Sequence, residues 1–172
     1  AECSGLESLE GLGEVEEIGD GAFQNCSSLE SLEGLGEVEE IDDEVFFGCS
    51  RLKNLKGLNK VIKIGDETFF GCSDLKDLEG LDNIVEIGIA AFGNCSGLES
   101  LKELRNIEKI SDYTFYECSG LKSLEGLGNV VEIGDSAFSN CVGLESLEGL
   151  GPVTKMGNDV FDGCRDFSVE DY

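Results

Sequence analysis

Apolar residues recur at every third position along this chain, in the order Leu-x-x-Leu-x-x-Leu-x-x-Val-x-x-Ile, and the whole unit then returns after 23 residues. Cysteine marks the period, at Cys3, Cys26, Cys49, Cys72, Cys95, Cys118, Cys141 and Cys164. Counting each unit from its cysteine, the apolar residues fall at positions 1, 4, 7, 10, 13, 16, 20 and 21, and position 21 is Phe in all seven full units. A fixed period of this length is the signature of a solenoid. Seven units over residues 3–163 and a stub at 164–172 therefore read as one repeat domain, residues 1–172. A single coil cannot bury its own apolar residues. Stacked coils line them into ladders and take them out of water, which is the main stabilising term.

Period-three spacing fits neither a long helix nor a half-buried strand. It predicts short extended segments joined by corners: one strand around positions 5–8, and a shorter second strand around positions 13–16. Each pairs in parallel with its equivalent in the next coil. At positions 17 and 18, Gly permits a turn and Asp caps a single helical turn. The capping acids are Asp20, Asp43, Asp66, Asp112 and Asp135; Ile89 and Asn158 stand there in the other coils, so the turn at Ile89 is expected to be weaker. Position 9 is Gly except for Glu103, so positive φ is not strictly required there. In the stub, Phe167 takes the leucine position and Glu170 stops the ladder. Only Ala1 and Glu2 precede Cys3, which predicts that the N-terminal face is covered in the native state. The chain has no initiator Met, as expected of a processed form or a fragment.

The run from Ile133 through Gly134, Ala137 and Phe138 to Cys141, Leu144 and Leu147 resembles the 23-residue leucine-rich repeats of the BspA-like, or Treponema-type, family. The resemblance extends over residues 3–167. It implies an α/β fold leaning to β: a right-handed arc-shaped solenoid with a parallel sheet on its concave face, and short second strands and single helical turns on the other side. Members of that family are typically surface or secreted proteins that bind other proteins or mediate adhesion, so the resemblance also implies an extracellular or cell-surface location. The chain departs from the family at positions 9 and 10, where Gly126-Leu127 stands in place of an aliphatic residue followed by Pro.

Charge narrows the choice of partner. The formal net charge is -25, and residues 1–48 carry no Lys or Arg. Such a field repels phosphate backbones and anionic lipid, which argues against nucleic acid and membrane partners. No apolar run reaches the length of a membrane span. The evenly spaced cysteines read as buried free thiols rather than disulfides, because parallel neighbours in a packed ladder do not readily reach the bridging dihedral. His is absent, and so is Cys-x-x-Cys, so no imidazole base, catalytic triad or thiolate zinc site is expected. The chain reads as a non-enzyme, with no cofactor and no metal centre. Outward Glu columns such as Glu7–Glu30 and Glu10–Glu33 keep Ca²⁺ as a remote alternative to a solvated face.

Residues that break the repeat are the candidate contact sites. Aromatic residues occupy position 22 at Phe47, Phe70 and Tyr116, with Gly93 between them; Ile89 and Tyr113 stand at positions 18 and 19; Ile62, Val85 and Val131 stand at position 14. Aligned exposed aromatics make a contact patch; the alternative is that they fold over the turn as peripheral core. A basic band, Arg51, Lys53, Lys56, Lys60 and Lys63, fills the third coil. It either steers an acidic partner or compensates the neighbouring acidic coils. Asn25 and Asn94 head glycosylation triplets that follow from the repeat itself. The reading is a protein-interaction module that presents a rigid, curved, acidic surface to another protein. Its alternative is a structural subunit of a filament, matrix or larger complex, including end-to-end packing with itself.

Overall fold

In the computed structural model, which describes residues 3–13 and 15–165, each 23-residue unit forms one coil, and equivalent residues of successive coils lie side by side. Six two-residue strands carry the parallel pairing: β1 (Glu40–Ile41), β2 (Lys63–Ile64), β3 (Glu86–Ile87), β4 (Lys109–Ile110), β5 (Glu132–Ile133) and β6 (Lys155–Met156). They pair in the orders β1-β2-β3 and β4-β5-β6, with Ile41 opposite Ile64 and Ile110 opposite Ile133. These strands sit at positions 15 and 16, inside the expected second strand. The expected first strand, positions 5–8, does not form; the isolated bridge Ser8–Ser31 and single backbone bonds at position 5, such as Glu30 N–H to Glu7 O at 2.9 Å, stand in its place. Leucines at every third position turn the backbone too quickly for a ladder of period two.

The turn side contains no helix among the described residues, a second correction to the expectation. Positions 19 and 23 have positive φ in every coil, from 52° at Glu67 and Ala90 to 75° at Gly71. A left-handed residue every fourth position breaks the helical run. The segment is instead a chain of hydrogen-bonded turns, for example Phe47 N–H to Glu44 O and Cys49 N–H to Phe46 O, both at 3.1 Å. The N–H groups left over at positions 19, 21 and 23 reach the next coil: Glu44 to Asp66 O, Phe46 to Thr68 O and Gly48 to Phe70 O, at 2.8–2.9 Å.

The Asp at position 18 is likewise not a helix cap. In four of the five coils that carry it, its carboxylate accepts the backbone N–H at position 18 of the following coil: Asp43 from Asp66 (2.7 Å), Asp66 from Ile89 (2.6 Å), Asp112 from Asp135 (2.8 Å) and Asp135 from Asn158 (2.7 Å), whereas, among the described residues, Asp20 does not clamp Asp43. This clamp explains the glycine before it. At Gly65, Gly88, Gly134 and Gly157 the φ is ordinary, but a Cβ would meet the preceding coil's Asp carboxylate and come within 2.5–2.8 Å of its backbone. Gly therefore serves close approach at position 17, not turn geometry. Wherever it is present, its N–H also bonds position 16 of the preceding coil, as in Gly134 to Ile110 O at 2.8 Å.

Two boundaries lack that glycine. Asp42 faces coil 1 and Ser111 faces coil 4; among the described residues coil 1 forms no strand at positions 15 and 16, and β3 and β4 are not paired. At the second boundary the preceding position 18 is Ile89, which offers no acceptor, and the Ser111 hydroxyl donates to Ile87 O at 2.8 Å in place of a backbone N–H. The phenylalanine ladder, stacked from Phe23 to Phe161, is widest at the second of these boundaries, while Phe23–Phe46 at the first stands at 5.5 Å, within the range of the other coils. Ring centroids are 5.3 Å apart for Phe46–Phe69, Phe69–Phe92 and Phe115–Phe138 and 5.6 Å for Phe138–Phe161, but 5.8 Å for Phe92–Phe115, across the boundary between coils 4 and 5. The turn side stays bonded there, through Ala90 N–H to Asp112 O and Phe92 N–H to Thr114 O.

Leucine, isoleucine and valine ladders fill the interior beside these rings, and nearly all are fully buried from coil 2 to coil 6. Coil 1 is more open: Leu9 and Ile18 are buried, Leu6 is half-buried, and Leu12 is 45% exposed. The capping roles expected of Phe167 and Glu170 lie outside the described residues.

Candidate protein-interaction surface

Exposure and bonding of the thiols decide whether the cysteines are chemistry or core. All eight are free; six are buried, Cys164 is half-buried and Cys3 is exposed. From Cys49 to Cys164 each Sγ–H donates to the carbonyl of the phenylalanine 26 residues before it, at 3.1–3.4 Å, as in Cys118 to Phe92 O. Burial pushes the Cys49 thiol up to about 12, and Cys72, Cys95 and Cys118 well above the ordinary thiol value. These are inert packing groups. The expectation that all eight are buried fails at Cys3.

The basic band is engaged within the chain. Arg51 and Lys53 both reach Glu30 at 2.5 Å, Lys60 reaches Glu37 at 2.6 Å, Lys56 reaches Glu79 at 3.2 Å and Lys63 reaches Glu86 at 3.3 Å. Each partner lies in an adjacent coil. Lys53 and its neighbours hold the Glu30 carboxyl below its usual range, and Glu37 raises Lys60. No group of three or more His, Cys, Asp or Glu among the described residues is arranged to hold a metal ion.

The structure separates the apolar departures into three sets. Phe47 and Phe70 stack at 5.3 Å and are half-buried. Phe70 leans onto coil 4, where a Cβ on Gly93 would fall 2.7 Å from its ring, so Gly93 makes room for it. Phe47 and Phe70 thus pack on each other and over Gly93 while each stays partly at the surface. Ile89 and Tyr113 are 46% and 44% exposed. Tyr113 meets Tyr116 edge-on at 6.0 Å, and Tyr116 is half-buried, its hydroxyl raised in pKa by its hydrogen bond to Glu117. Ile62, Val85 and Val131, exposed at position 14, line the strand side instead.

Departures thus gather at the boundary between coils 4 and 5. Ile89 gives up the carboxylate clamp, Ser111 replaces the close-approach glycine, and Tyr113 and Ile89 present apolar surface on the turn side. Glu103, also in coil 5, is 5% exposed; its Oε2 has no hydrogen-bond partner, Oε1 lies 3.8 Å from the Lys102 ammonium, and burial raises its pKa. Sequence reading noted Glu103 only as a backbone exception and did not single out Ser111. Their signal was available, since each replaces an otherwise recurrent glycine.

With that geometry in view, the comparisons with known proteins are consistent. The profile of the BspA type Leucine rich repeat region matches residues 1–61 and 39–168, in six copies. The T. pallidum Leucine Rich Repeat protein superposes with a TM-score of 0.82 at 25% identity, over 91% of this chain and 73% of that one. A leucine-rich repeat protein from Bacteroides ovatus ATCC 8483 superposes with a TM-score of 0.52 at 23% identity, over 87% of this chain but only 50% of its own length. One from Eubacterium ventriosum ATCC 27560 gives 0.52 at 17% identity, over 83% of this chain and 46% of its own. The latter two likenesses speak to the fold alone. No curated protein matches the chain.

Proposed function

Because the chain belongs to the BspA-type leucine-rich-repeat family, whose repeats generally serve as protein-interaction modules, we propose that it is a non-enzymatic interaction domain spanning residues 1–172. Its contact site is the turn side of the boundary between coils 4 and 5. One observation carries the reading: Ile89 stands where an aspartate would clamp the next coil, and its side chain is 46% exposed. The array forgoes an internal hydrogen bond to display an apolar side chain, and Tyr113, 44% exposed, stands beside it in the next coil. Breaking a local rule without internal gain is what a functional site does, and tyrosine beside an aliphatic residue is good contact chemistry. Tyr116 meets Tyr113 edge-on at 6.0 Å, and the stacked Phe47 and Phe70 extend the turn-side apolar surface toward coil 2. The right hand of the solenoid, a concave sheet face and a cell-surface or extracellular location belong to the same proposal and rest on family likeness.

A photo-crosslinking residue placed at Ile89 or Tyr113 tests it against the same probe at Ser136, the position-19 residue of coil 6. Incubated with surface extract of the source organism, the first two give a discrete cross-linked protein and the third does not. Equal yields at all three positions, or none, would overturn the reading.

A further inference from the structure

The parallel ladder has an outward face of its own, made by positions 14 and 15. Position 15 runs Glu17, Glu40, Lys63, Glu86, Lys109, Glu132, Lys155. From coil 3 onward the alternation closes ion pairs between neighbours: Lys63–Glu86 at 3.3 Å, Lys109–Glu132 at 3.3 Å and Lys155–Glu132 at 2.7 Å. Coils 1 and 2 have no lysine at position 15, and the neighbouring cation Lys60 is held by Glu37 at 2.6 Å, beside Glu39. Glu16, Glu17, Glu39, Glu40 and Asp42, with Ile18, surround a shallow concavity of about 350 Å³, and none of the five acids joins an ion pair among the described residues. Immediately beyond, position 14 turns from Glu16 and Glu39 to Ile62 and Val85, which are 41% and 56% exposed and joined by Val85 N–H to Ile62 O at 2.9 Å.

We propose that this face docks an extended basic segment of a partner protein, with lysine or arginine side chains against the carboxylates of coils 1 and 2 and an aliphatic side chain on Ile62 and Val85. Spacing supports one arrangement. An extended segment crossing the coils puts side chains i and i+2 on one side about 7 Å apart, which is roughly one and a half coil spacings. A cation over Glu16 and Glu17 therefore sets the next same-side cation over the seam between coils 2 and 3, beside Glu39 and Glu40, and the same-side residue after that over Val85, next to Ile62. A single metal ion fits less well, since the acids are spread along the ladder rather than gathered around one point. The inference rests on the reading of the chain as an interaction module, but uses different coil positions from the Ile89–Tyr113 site.

The test is a peptide, Lys-Thr-Lys-Thr-Val-Thr-Val, titrated calorimetrically into the full chain at about 0.05 M and about 0.3 M salt. Binding is expected to weaken about tenfold in Glu39→Gln/Glu40→Gln and again about tenfold in Ile62→Ser/Val85→Ser, while Glu125→Gln/Glu148→Gln, an acidic pair in coils 6 and 7, changes it less than about twofold. All these side chains lie at the surface, and a thermal melt confirms that each variant stays folded. If the Glu125/Glu148 pair matters as much, or if the same peptide with Ser for Val binds equally well, the attraction is that of a bulk acidic surface and the proposal fails. A dimer of the free protein that dissociates on Ile62→Ser/Val85→Ser would give the face to a second copy and also overturn it. If the peptide does not bind while cross-linking at Ile89 persists, this inference alone falls; loss of both removes the interaction-module reading as well.

Discussion

Replacing Gly134 by Ala tests the clamp between coils at its most exacting point. The residue has ordinary φ, so alanine is not penalised by backbone conformation, but its Cβ would press on the Asp112 carboxylate and lie 2.6 Å from the Asp112 nitrogen. The coils must part, which breaks Gly134 N–H to Ile110 O (2.8 Å) and Asp135 N–H to the Asp112 carboxylate (2.8 Å). A neutral backbone bond contributes about 1 kcal/mol and one to a charged acceptor about 2 kcal/mol. The lower chain entropy of unfolded alanine returns about 0.4–1 kcal/mol, leaving a net destabilisation of about 2–3 kcal/mol. At a typical urea slope of about 2 kcal/mol/M this moves the unfolding midpoint down by about 1 M. Gly128→Ala is the control, because a Cβ there meets nothing within 4 Å and φ is ordinary; it should be neutral to slightly stabilising. A Gly134→Ala midpoint within experimental error of the Gly128→Ala midpoint would refute the close-approach reasoning.

Other outcomes follow from the same geometry. The double variant Ile89→Asp/Ser111→Gly should restore the missing clamp and raise stability by about 1–2 kcal/mol in a urea titration, more than either single change; strictly additive singles would deny the coupling. A thiol reagent should label Cys3 at once, Cys164 slowly and the other six only on unfolding, and disulfides found by mass spectrometry would contradict this. Because burial raises the folded thiol pKa, stability is full below the ordinary thiol value of 9.0 and falls above it, by about 1.4 kcal/mol per buried thiol per pH unit until the folded value is reached. For Glu103 the sign is the same: its raised pKa makes the ionised carboxylate a penalty that appears as pH rises through the carboxylate range. Glu103→Gln should therefore gain stability over wild type at neutral pH and lose that advantage near pH 3, whereas an unchanged difference across the range would show that the carboxylate is solvated.

Much of the fold is legible in the residues because ladder burial repeats without exception through the central coils. Leu29, Leu52, Leu75, Leu98, Leu121 and Leu144 are all fully buried, as their spacing requires. The strand at positions 5–8 does not form because leucines at every third position leave the segment a single backbone bond to the neighbouring coil, as in Glu99 N–H to Lys76 O at 3.0 Å, too few for a ladder. The helical turn was misread for a different reason. Asp after Gly looks like a local cap, and nothing in one coil reveals that its acceptor serves the next coil. Ile89 and Tyr113 could be found as breaks in the repeat, but Phe47 and Phe70 could not be distinguished from them until Gly93 was seen to receive the Phe70 ring. Glu103 was visible as a departure, yet its buried carboxylate depends on how coils pack, which spacing alone does not convey.

Residue-resolved hydrogen exchange of the folded chain tests most directly the claim that the array surrenders the clamp and the strand pairing, but not the turn-side bonds, between coils 4 and 5. The amides of Gly65, Gly88 and Gly134, bonded to the preceding coil at 2.8 Å, should exchange only with global unfolding. Those of Ser111 and Asp112, where the clamp is missing, should exchange at least about a hundredfold faster by local opening, while Phe92 and Asn94 on the turn side of the same boundary remain protected. Protection of Ser111 and Asp112 equal to that of Gly134 and Asp135 would mean that the ladder is continuous there, and would contradict the account.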